Sequence, residues 1–379
     1  MALDVSSIRT DQVGSLLRPQ ALIDAFLRFG QGKIDEETLE AMQDQAILDV
    51  VARQESAGLK VVTDGEFRRL NWQVSFSRVE GWDQWDKSWE RFVQNPSLVG
   101  EEEKPLTRGK DAVESSKIPA TAKLSLLENF PLKEYSFLAK TARSPGKAML
   151  IGPDRITQMC NILDSTPHYE TAEAFLADVV AIEQKIIGDL VDSGCPYVQL
   201  DEPSYTGYVD RETLERIAAR GEDPRANLTR AIDASNAVIQ PHAGKAIFGL
   251  HICRGNRASM WHREGTYDGI AELIFSRLKF DRLLLEYDTE RAGGFEPLRF
   301  VPKGVHVVLG LVTTKQGTLE TVDELLQRIE DASRYVDPYQ LAISPQCGFA
   351  SGIAGNMLSE DEQWRKFEVI NETARRAWD

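Results

Sequence analysis

Four side chains of the types that bind soft metal ions lie in the last third of the chain, each in or at the end of a short apolar run. His251 and Cys253 end the run AIFGLHIC, Glu286 lies in LLLEYD, and Cys347 ends LAISPQC. Because His251 and Cys253 are two residues apart, both side chains point to the same face if this run is a β-strand. Zinc is bound by thiolate, imidazole and carboxylate groups, whereas magnesium and calcium prefer oxygen ligands. We therefore predict that these four residues form a zinc site.

Carboxylates follow two earlier apolar runs in the same way. Asp64 and Glu66 come directly after KVVT, and Asp201 and Glu202 end YVQLDE. Packing alone does not explain charged groups at so many strand ends, because burying an unpaired charge costs free energy. We expect these side chains to lie around the same site as the metal ligands.

Eight short apolar runs alternate with helical patterns along the chain. Several runs are continuously apolar, which is typical of strands in a parallel sheet buried on both faces. Alternating strands and helices indicate βαβ units, and eight of them predict an α/β fold, a (β/α)8 TIM barrel whose strand ends form one active-site face. A doubly wound sheet is the alternative, although no Gly-x-Gly-x-x-Gly motif follows the first strand. The predicted strands are residues 8–14, 60–65, 147–152, 197–202, 246–253, 282–288, 305–312 and 341–347.

One stretch interrupts this alternation. Residues 73–145 are rich in Trp, Glu, Lys and Pro, and they follow the second predicted strand. We predict a single domain over residues 1–379, with 73–145 as an insertion that covers the barrel mouth. A surface excursion without a role is an equally good interpretation, since barrel loops carry function often but not always.

Composition limits the classes of partner. The formal net charge of −15 argues against nucleic acid and against anionic lipid surfaces. Four cysteines in 379 residues do not make a disulfide scaffold. There is no secretory signal at the start of the sequence and no apolar stretch long enough to span a membrane. We expect a cytoplasmic protein that binds small molecules, with a homo-oligomer left open.

The predicted zinc site suits activation of a thiol. A free thiol has a pKa near 8.5 and is mostly protonated at neutral pH, whereas the thiolate is the nucleophile. Zinc coordination deprotonates a thiol outright. Two thiolates and a carboxylate on Zn²⁺ give a formal charge of about −1. Such an electron-rich site favours a nucleophilic bound sulfur over hydrolysis.

Several of these motifs, taken together, resemble a known family. GLHIC, LLLEYD and SPQCG are similar to the zinc-binding segments of the cobalamin-independent methionine synthases, within the methionine synthase II and uroporphyrinogen decarboxylase-like superfamily. VGS, DGE, IGP and LDEP are similar to further motifs of that family's catalytic C-terminal barrel. The resemblance runs from Val13 to Cys347 in the same order. The N-terminal barrel of the long plant and bacterial enzymes has no counterpart in these residues.

The resemblance implies a reaction and a set of roles. A methyl group would pass from 5-methyltetrahydrofolate, as the polyglutamate, or from another methyl donor to homocysteine, giving methionine. Glu66 and Asp201 would hold the substrate amino group, which needs anionic acceptors. A helix N-cap is the alternative for Asp201, and an ion pair with Arg68 or Arg69 is the alternative for Glu66. The metal ligands would be His251, Cys253, Glu286 and Cys347, and the cradle for the amino-acid thiol would be Val13, Gly14 and Ser15.

The chain departs from the family on the side of the methyl donor. The tryptophan that stacks on folate after IGP is missing, since the chain reads DRITQMCN there. The family's second acid falls near Gly207, and its proton-donating histidine falls near Thr313 to Lys315. His262 is our candidate for a proton donor in place of that histidine. The thiol side is therefore predicted more firmly than the donor.

Two other functions remain open at this point. An epoxyalkane:coenzyme M transferase-like enzyme would use the same metal motif on a sulfonate-bearing thiol, for which Arg18, Arg68 and Arg69 supply cations. A uroporphyrinogen-decarboxylase-like barrel or a non-catalytic binder would not need two cysteines and a histidine at one point. Glu66 and Asp201 favour an amino acid over a sulfonate.

Overall fold

Six parallel strands form the central sheet of the protein. The computed structural model describes residues 3–94, 106–109 and 117–379. The strands of the sheet are hydrogen-bonded in chain order and every residue in them is buried, as expected for a sheet covered on both faces. The described strands are β1 Val79–Glu80 and β2 Ser125–Leu126, which pair as a short antiparallel ladder, and β3 Lys147–Ile151, β4 Tyr197–Asp201, β5 Ile247–Ile252, β6 Arg282–Glu286, β7 His306–Val312 and β8 Leu341–Pro345, which form the sheet.

The first two predicted strands are shortened to single bridged residues at the edges of this sheet. Thr10 pairs in parallel with Ile343 of β8, and Val62 pairs in parallel with Gly146 just before β3. The two segments also meet each other, since Leu16 N donates to Gly65 O at 3.2 Å. The eight segments therefore surround one interior, and the predicted TIM barrel is confirmed.

Helices cover the outside of the barrel, and side-chain caps fix where several of them begin. Asp35 accepts a hydrogen bond from Thr38 N at the start of the second helix, and Thr321 and Ser359 form capping boxes at the last two. The described helices are α1 Gln20–Gly30, α2 Glu36–Ser56, α3 Gln84–Gln94, α4 Phe130–Thr141, α5 Pro153–Gln158, α6 Ala172–Asp192, α7 Arg211–Ala219, α8 Pro224–Ile239, α9 Ala271–Arg277, α10 Val322–Ser333 and α11 Glu360–Trp378.

The N-terminal end of the barrel interior is charged. Lys147 and Arg282, the first residues of β3 and β6, form ion pairs with the two carboxylate oxygens of Asp11 at 2.7 and 3.2 Å. Tyr197, the first residue of β4, donates to the same carboxylate at 3.0 Å. We call these four residues the floor cluster. The three ion-paired side chains are fully buried. Asp11 pairs with both cations, so its loss would leave two uncompensated positive charges inside the barrel.

The segment 73–145 packs partly into the core. Trp82 is buried against Phe76 and Phe175, and its indole nitrogen donates to Ile118 O at 3.1 Å. Residues 106–109 lie along the loop that follows β5, where Gly109 N donates to Trp261 O at 2.7 Å. Residues 95–105 and 110–116 of the segment lie outside the described residues. A single domain with this segment as a cover of the barrel mouth therefore stays a prediction.

Candidate metal centre

The ends of β5 and β8 bring three of the four predicted ligands together. His251 is the second-last residue of β5, Cys253 follows that strand directly, and Cys347 lies two residues after β8. One ligand atom from each residue lies within 4.8 Å of the other two. Two thiols and an imidazole at this separation could hold a metal ion.

The imidazole of His251 is oriented for metal binding. Its Nδ1 lies 3.1 Å from Leu284 O, and a carbonyl can only accept, so Nδ1 carries the proton. The buried Nε2 has no hydrogen-bond partner within normal geometry among the described residues. A histidine that binds a metal through one nitrogen usually donates the other to a carbonyl or carboxylate. Burial lowers the pKa of His251, but the nearby Cys253 sulfur outweighs this effect and raises it.

The two thiols are close enough to share a proton. A hydrogen bond from Cys347 lowers the pKa of Cys253 well below its usual value, and the same contact raises the pKa of Cys347. A thiolate is the form that binds a metal, and metal binding releases the remaining proton. The donor set, with the unpartnered Nε2 of His251, therefore fits zinc.

Glu286 ends β6 and is fully buried, but it does not belong to the group of three residues whose ligand atoms lie within 4.8 Å of one another. Its Oε2 accepts from Arg254 N at 2.7 Å, and its Oε1 pairs with Arg291 at 3.0 Å. Burial raises the pKa of Glu286, but Lys315 and the two arginines outweigh this effect and lower it, so the group is charged. Glu286 as the fourth ligand stays a prediction, and each of its two oxygens keeps a lone pair that could face a metal ion.

Two buried carboxyl groups lie beside this centre. Asp201 ends β4 and is in register with His251 of β5, and Glu66 is in the loop after Val62 with φ at 59°. Burial raises the pKa of Asp201 to about 6 and that of Glu66 to about 8, and the Asp201 charge adds to the shift of Glu66. A substrate ammonium between them would stabilise both charged forms.

The sequence left two alternative roles open, an ion pair for Glu66 and a helix N-cap for Asp201, and the structure shows only the first. Glu66 Oε1 pairs with Arg69 at 3.3 Å, but its buried Oε2 has no hydrogen-bond partner among the described residues. The short 3-10 helix after β4 begins at Pro203 with Glu202 at its N-cap, so Asp201 is not a cap. Both residues therefore keep an acceptor group for a ligand, and their role in binding stays a prediction.

The segment Val13 to Ser15 lies directly against the loop that carries Cys347. A Cβ built on Gly14 would lie 2.9 Å from the Cα of Gly348, so only glycine allows this approach. Ser15 O accepts from Phe349 N at 2.7 Å, and Ser15 is buried. The structure thus brings the predicted thiol cradle next to the metal centre. Contact of this segment with a substrate stays a prediction.

His262 lies in the loop after β5. Its backbone N donates to Arg254 O at 2.9 Å, and its ring covers Gly255, where a built Cβ would lie 2.4 Å from the His262 Cδ2. Gly255 is two residues after Cys253 in the chain, but this placement does not test proton donation. That role stays a prediction.

Two further charged residues lie near the centre. Asp288 ends the predicted sixth strand in the sequence, whereas no role of its own is predicted for Lys315. Lys315 follows β7, is 2% exposed, and its Nζ has no hydrogen-bond partner among the described residues. Its charge contributes to the lowered pKa of Glu286 and opposes the raised pKa of Asp288 and of Cys347, so it lies within electrostatic range of all three. Lys315 follows β7 as Asp288 follows β6, and this position after a strand is the sequence signal that could have found it.

A pH-dependent stability is expected from Glu66. Because its folded pKa is about 8 and its ordinary value is 4.5, Glu66 stabilises the fold fully below pH 4.5, and this contribution is lost as the pH rises through 8. Glu66→Gln removes that loss. The difference in free energy of unfolding between Glu66→Gln and wild type should therefore increase by about 2 to 5 kcal/mol, in favour of the variant, from about pH 5 to about pH 9.

Urea unfolding of both proteins at the two pH values measures this difference. Glu37→Gln, a change of an exposed glutamate on α2, is the control and should show no such gain. A constant difference between Glu66→Gln and wild type at both pH values would contradict the buried, proton-binding state of Glu66.

More than half of the chain is similar to a known protein family. A profile described as "Cobalamin-independent synthase, Catalytic domain" matches residues 113–357. The match includes β3 to β8 and all four predicted metal ligands. It therefore contains most of the barrel and the metal centre.

Individual relatives cover nearly the whole chain. The uncharacterized protein YxjG of Bacillus subtilis (strain 168) is 37% identical, over 98% of this chain and 94% of that protein. A protein named methionine synthase from Pyrococcus abyssi is 25% identical, over 91% of this chain and 87% of its own. A Listeria monocytogenes structure, provisionally described as a vitamin-B12-independent methionine synthase, is 27% identical with a TM-score of 0.76 over 100% of both chains.

One further structure supports the fold alone. It is a B12-independent methionine synthase from Shewanella sp. W3-18-1 in complex with selenomethionine, with a TM-score of 0.66 over 97% of each chain and 19% identity. Its barrel agrees with the one described above.

Proposed function

The chain belongs to the cobalamin-independent methionine synthase family, and from this premise we propose that it is a zinc-dependent enzyme that methylates homocysteine to give methionine. The observation that carries the proposal is the group of His251, Cys253 and Cys347, whose ligand atoms lie within 4.8 Å of one another. The buried, unpartnered Nε2 of His251 supports a metal there, because such an atom is costly without a ligand.

These three residues would hold the zinc ion, with Glu286 as the fourth ligand. When bound, zinc would supply the positive charge that keeps a substrate thiol as the nucleophilic thiolate at neutral pH.

The other residues of the site would bind and orient the amino acid. Glu66 and Asp201 would accept hydrogen bonds from the substrate ammonium, and the Val13 to Ser15 segment would line its other side. Holding sulfur and methyl carbon in line removes much of the entropic barrier to transfer. Burial of these groups keeps water away from the reacting sulfur. His262 would give a proton to the donor's leaving group.

The methyl donor is the open part of the proposal. 5-Methyltetrahydrofolate, as the polyglutamate, is the donor that the family implies, and another methyl donor would serve the same thiol. The stretch after Gly152 contains no tryptophan that could stack on a pterin. Among the tryptophans of the 73–145 segment, which could in principle replace it, Trp85 and Trp89 of α3 pack against the aromatic rings of Phe130 and Phe26.

A sulfonate-bearing thiol, as in an epoxyalkane:coenzyme M transferase, fits the structure less well. The three arginines that kept this alternative open are already engaged. Arg18 donates to the backbone of Glu66 and Arg69, Arg68 pairs with Asp44, and Arg69 pairs with Glu134. Their commitment to protein partners supports an amino acid as the thiol substrate.

The proposed partners are therefore a small-molecule thiol and a methyl or alkyl donor. A cytoplasmic location belongs to the same proposal, and the oligomeric state is left open. Among the described parts of the chain, none of the helices combines the length and the apolar character that a membrane span requires.

The proposal is tested by product formation. Zinc-loaded protein is mixed with homocysteine and an isotope-labelled methyl donor, either a methyltetrahydrofolate with one or three glutamates, methylcobalamin or a methylsulfonium compound. Labelled methionine, detected by mass spectrometry with at least one donor, is the expected result. Coenzyme M with an epoxide is the comparison reaction. Alkylation of coenzyme M without any methylation of homocysteine would contradict the proposal.

A further inference from the structure

A single buried glutamine joins two parts of the proposed substrate site. Gln199 is in the middle of β4 and is fully buried. Its Nε2 donates to Asp201 Oδ1 and to Val13 O, both at 2.6 Å. Asp201 is the carboxylate proposed to bind the substrate ammonium, and Val13 begins the cradle for the thiol.

The orientation of the Gln199 amide is fixed by Lys147. Gln199 Oε1 accepts from Lys147 Nζ at 3.0 Å. An ammonium can only donate, so the amide oxygen must face Lys147 and both amide hydrogens must point towards Asp201 and Val13. Had the amide been reversed, its NH₂ group would face the ammonium.

Lys147 itself is held by the floor cluster. Its Nζ pairs with Asp11 at 2.7 Å and also donates to Gln12 O. The other oxygen of Asp11 binds Arg282 and Tyr197 at 3.2 and 3.0 Å. Such a network of buried, mutually bonded groups has few alternative arrangements. The floor cluster therefore gives Gln199 a rigid support at the closed end of the barrel.

The spacing of Gln199 and Asp201 on β4 connects the floor cluster to the proposed substrate site. Gln199 and Asp201 are two residues apart on one strand, so their side chains share a face. The Asp201 Oδ1 is taken by Gln199, which leaves the second carboxylate oxygen to a substrate ammonium. Val13 comes from a different segment of the barrel, so one amide sets the distance between the two.

We propose that Gln199 is a positioning residue that fixes Asp201 relative to the Val13 to Ser15 segment, so that an aminothiol presents its ammonium and its sulfur together. This inference rests on the proposed function, because it assumes a substrate that carries both groups. Gln199 itself does not touch the reacting atoms. Its effect is on recognition of the amino group.

Gln199→Glu is the sharpest test, because it keeps the size of the side chain and its acceptor for Lys147. It replaces the NH₂ group by an oxygen that repels both Asp201 Oδ1 and Val13 O. Dissociation constants for homocysteine and for 4-mercaptobutanoate, which lacks only the amino group, are measured by calorimetry on zinc-loaded protein. We expect the affinity for homocysteine to fall about tenfold or more, and that for 4-mercaptobutanoate to change by less than about twofold.

Two further variants keep the test informative. Gln363→Glu is the matched control, since Gln363 is equally buried, lies on α11 and uses its oxygen to accept from Leu17 N. It should leave both affinities unchanged. Gln199→Met, which has similar size but makes neither donation, should lose the preference for homocysteine as well, and it serves if the glutamate variant does not fold.

The outcomes separate this inference from the function on which it rests. Equal loss of both affinities in the Gln199 variants would indicate a merely structural role and overturn the inference. The same holds if wild type prefers homocysteine and the variants keep that preference. If wild type binds both thiols equally, the proposed ammonium site itself is wrong, and the inference falls with it.

Discussion

Cys253→Ala should reduce bound zinc from about one equivalent per chain to less than about a tenth. Cys253 is the central member of the ligand group, since its sulfur lies close to both the His251 imidazole and the Cys347 sulfur. Without it, one thiolate and one imidazole remain, and the site loses a negative charge that neutralises the metal. Methionine formation should fall at least about a thousandfold, because the substrate thiol stays protonated. Metal analysis after dialysis against a chelator measures the first effect.

Cys195→Ala is the matched control for this change. Cys195 is also a buried free cysteine, but its Sγ interacts with Tyr197 O at 3.3 Å, at the start of β4 rather than at its end. This variant should keep its zinc. Full zinc content in Cys253→Ala would contradict the assignment of the metal centre.

Asp201→Asn should weaken homocysteine binding by about 30- to 100-fold while zinc content stays the same. The change removes the negative charge that would face the substrate ammonium, and a buried charge pair that loses one partner costs several kcal/mol. Asn keeps an Oδ1 that can accept from Gln199 Nε2, so its NH₂ group would take the position of the second carboxylate oxygen and face the ammonium as a donor. Calorimetric titration with homocysteine measures the affinity, and metal analysis measures the zinc.

Glu183→Gln is the control for removal of a buried carboxyl group. Glu183 lies on α6, is fully buried, and burial raises its pKa well above the usual value. Homocysteine affinity should not change in this variant. An Asp201→Asn protein that binds homocysteine as tightly as wild type would show that the ammonium is bound elsewhere.

Much of the fold follows from hydrophobic patterning alone. The six runs that form β3 to β8 are mostly apolar, and the sequence predicts each as a strand within a few residues of its observed bounds. The first predicted strand, IRTDQVG, is mixed in character because Asp11 and Gln12 face a polar interior, and it forms only one bridge at Thr10. Such a segment is positioned by the neighbouring strands rather than by its own pattern.

The sequence predicts those residues of the candidate site that lie at strand ends. The carboxyl ends of parallel strands meet on one face, so residues as distant as His251 and Cys347 could be expected together. The partners of Glu286 were not accessible in this way. Arg291 comes from a loop whose path is set by tertiary packing, and local sequence gives no sign that it pairs with Glu286.

Two further features depend on contacts between distant segments. The left-handed backbone of Glu66 is stabilised by the Asp64 side chain, which accepts from Glu66 N at 2.9 Å, and by Arg18 from another segment. The burial of Lys315 likewise depends on how the loop after β7 folds back over the barrel. Neither property can be read from residue type or spacing.

The central claim is that a metal ion is held by two thiolates, one imidazole and one carboxylate at the ends of three strands of the barrel. X-ray absorption at the zinc edge of the purified protein tests it most directly. We predict two sulfur neighbours at about 2.3 Å and two nitrogen or oxygen neighbours at about 2.0 to 2.2 Å. A spectrum without sulfur neighbours, or a protein that takes up no zinc at all, would contradict the account.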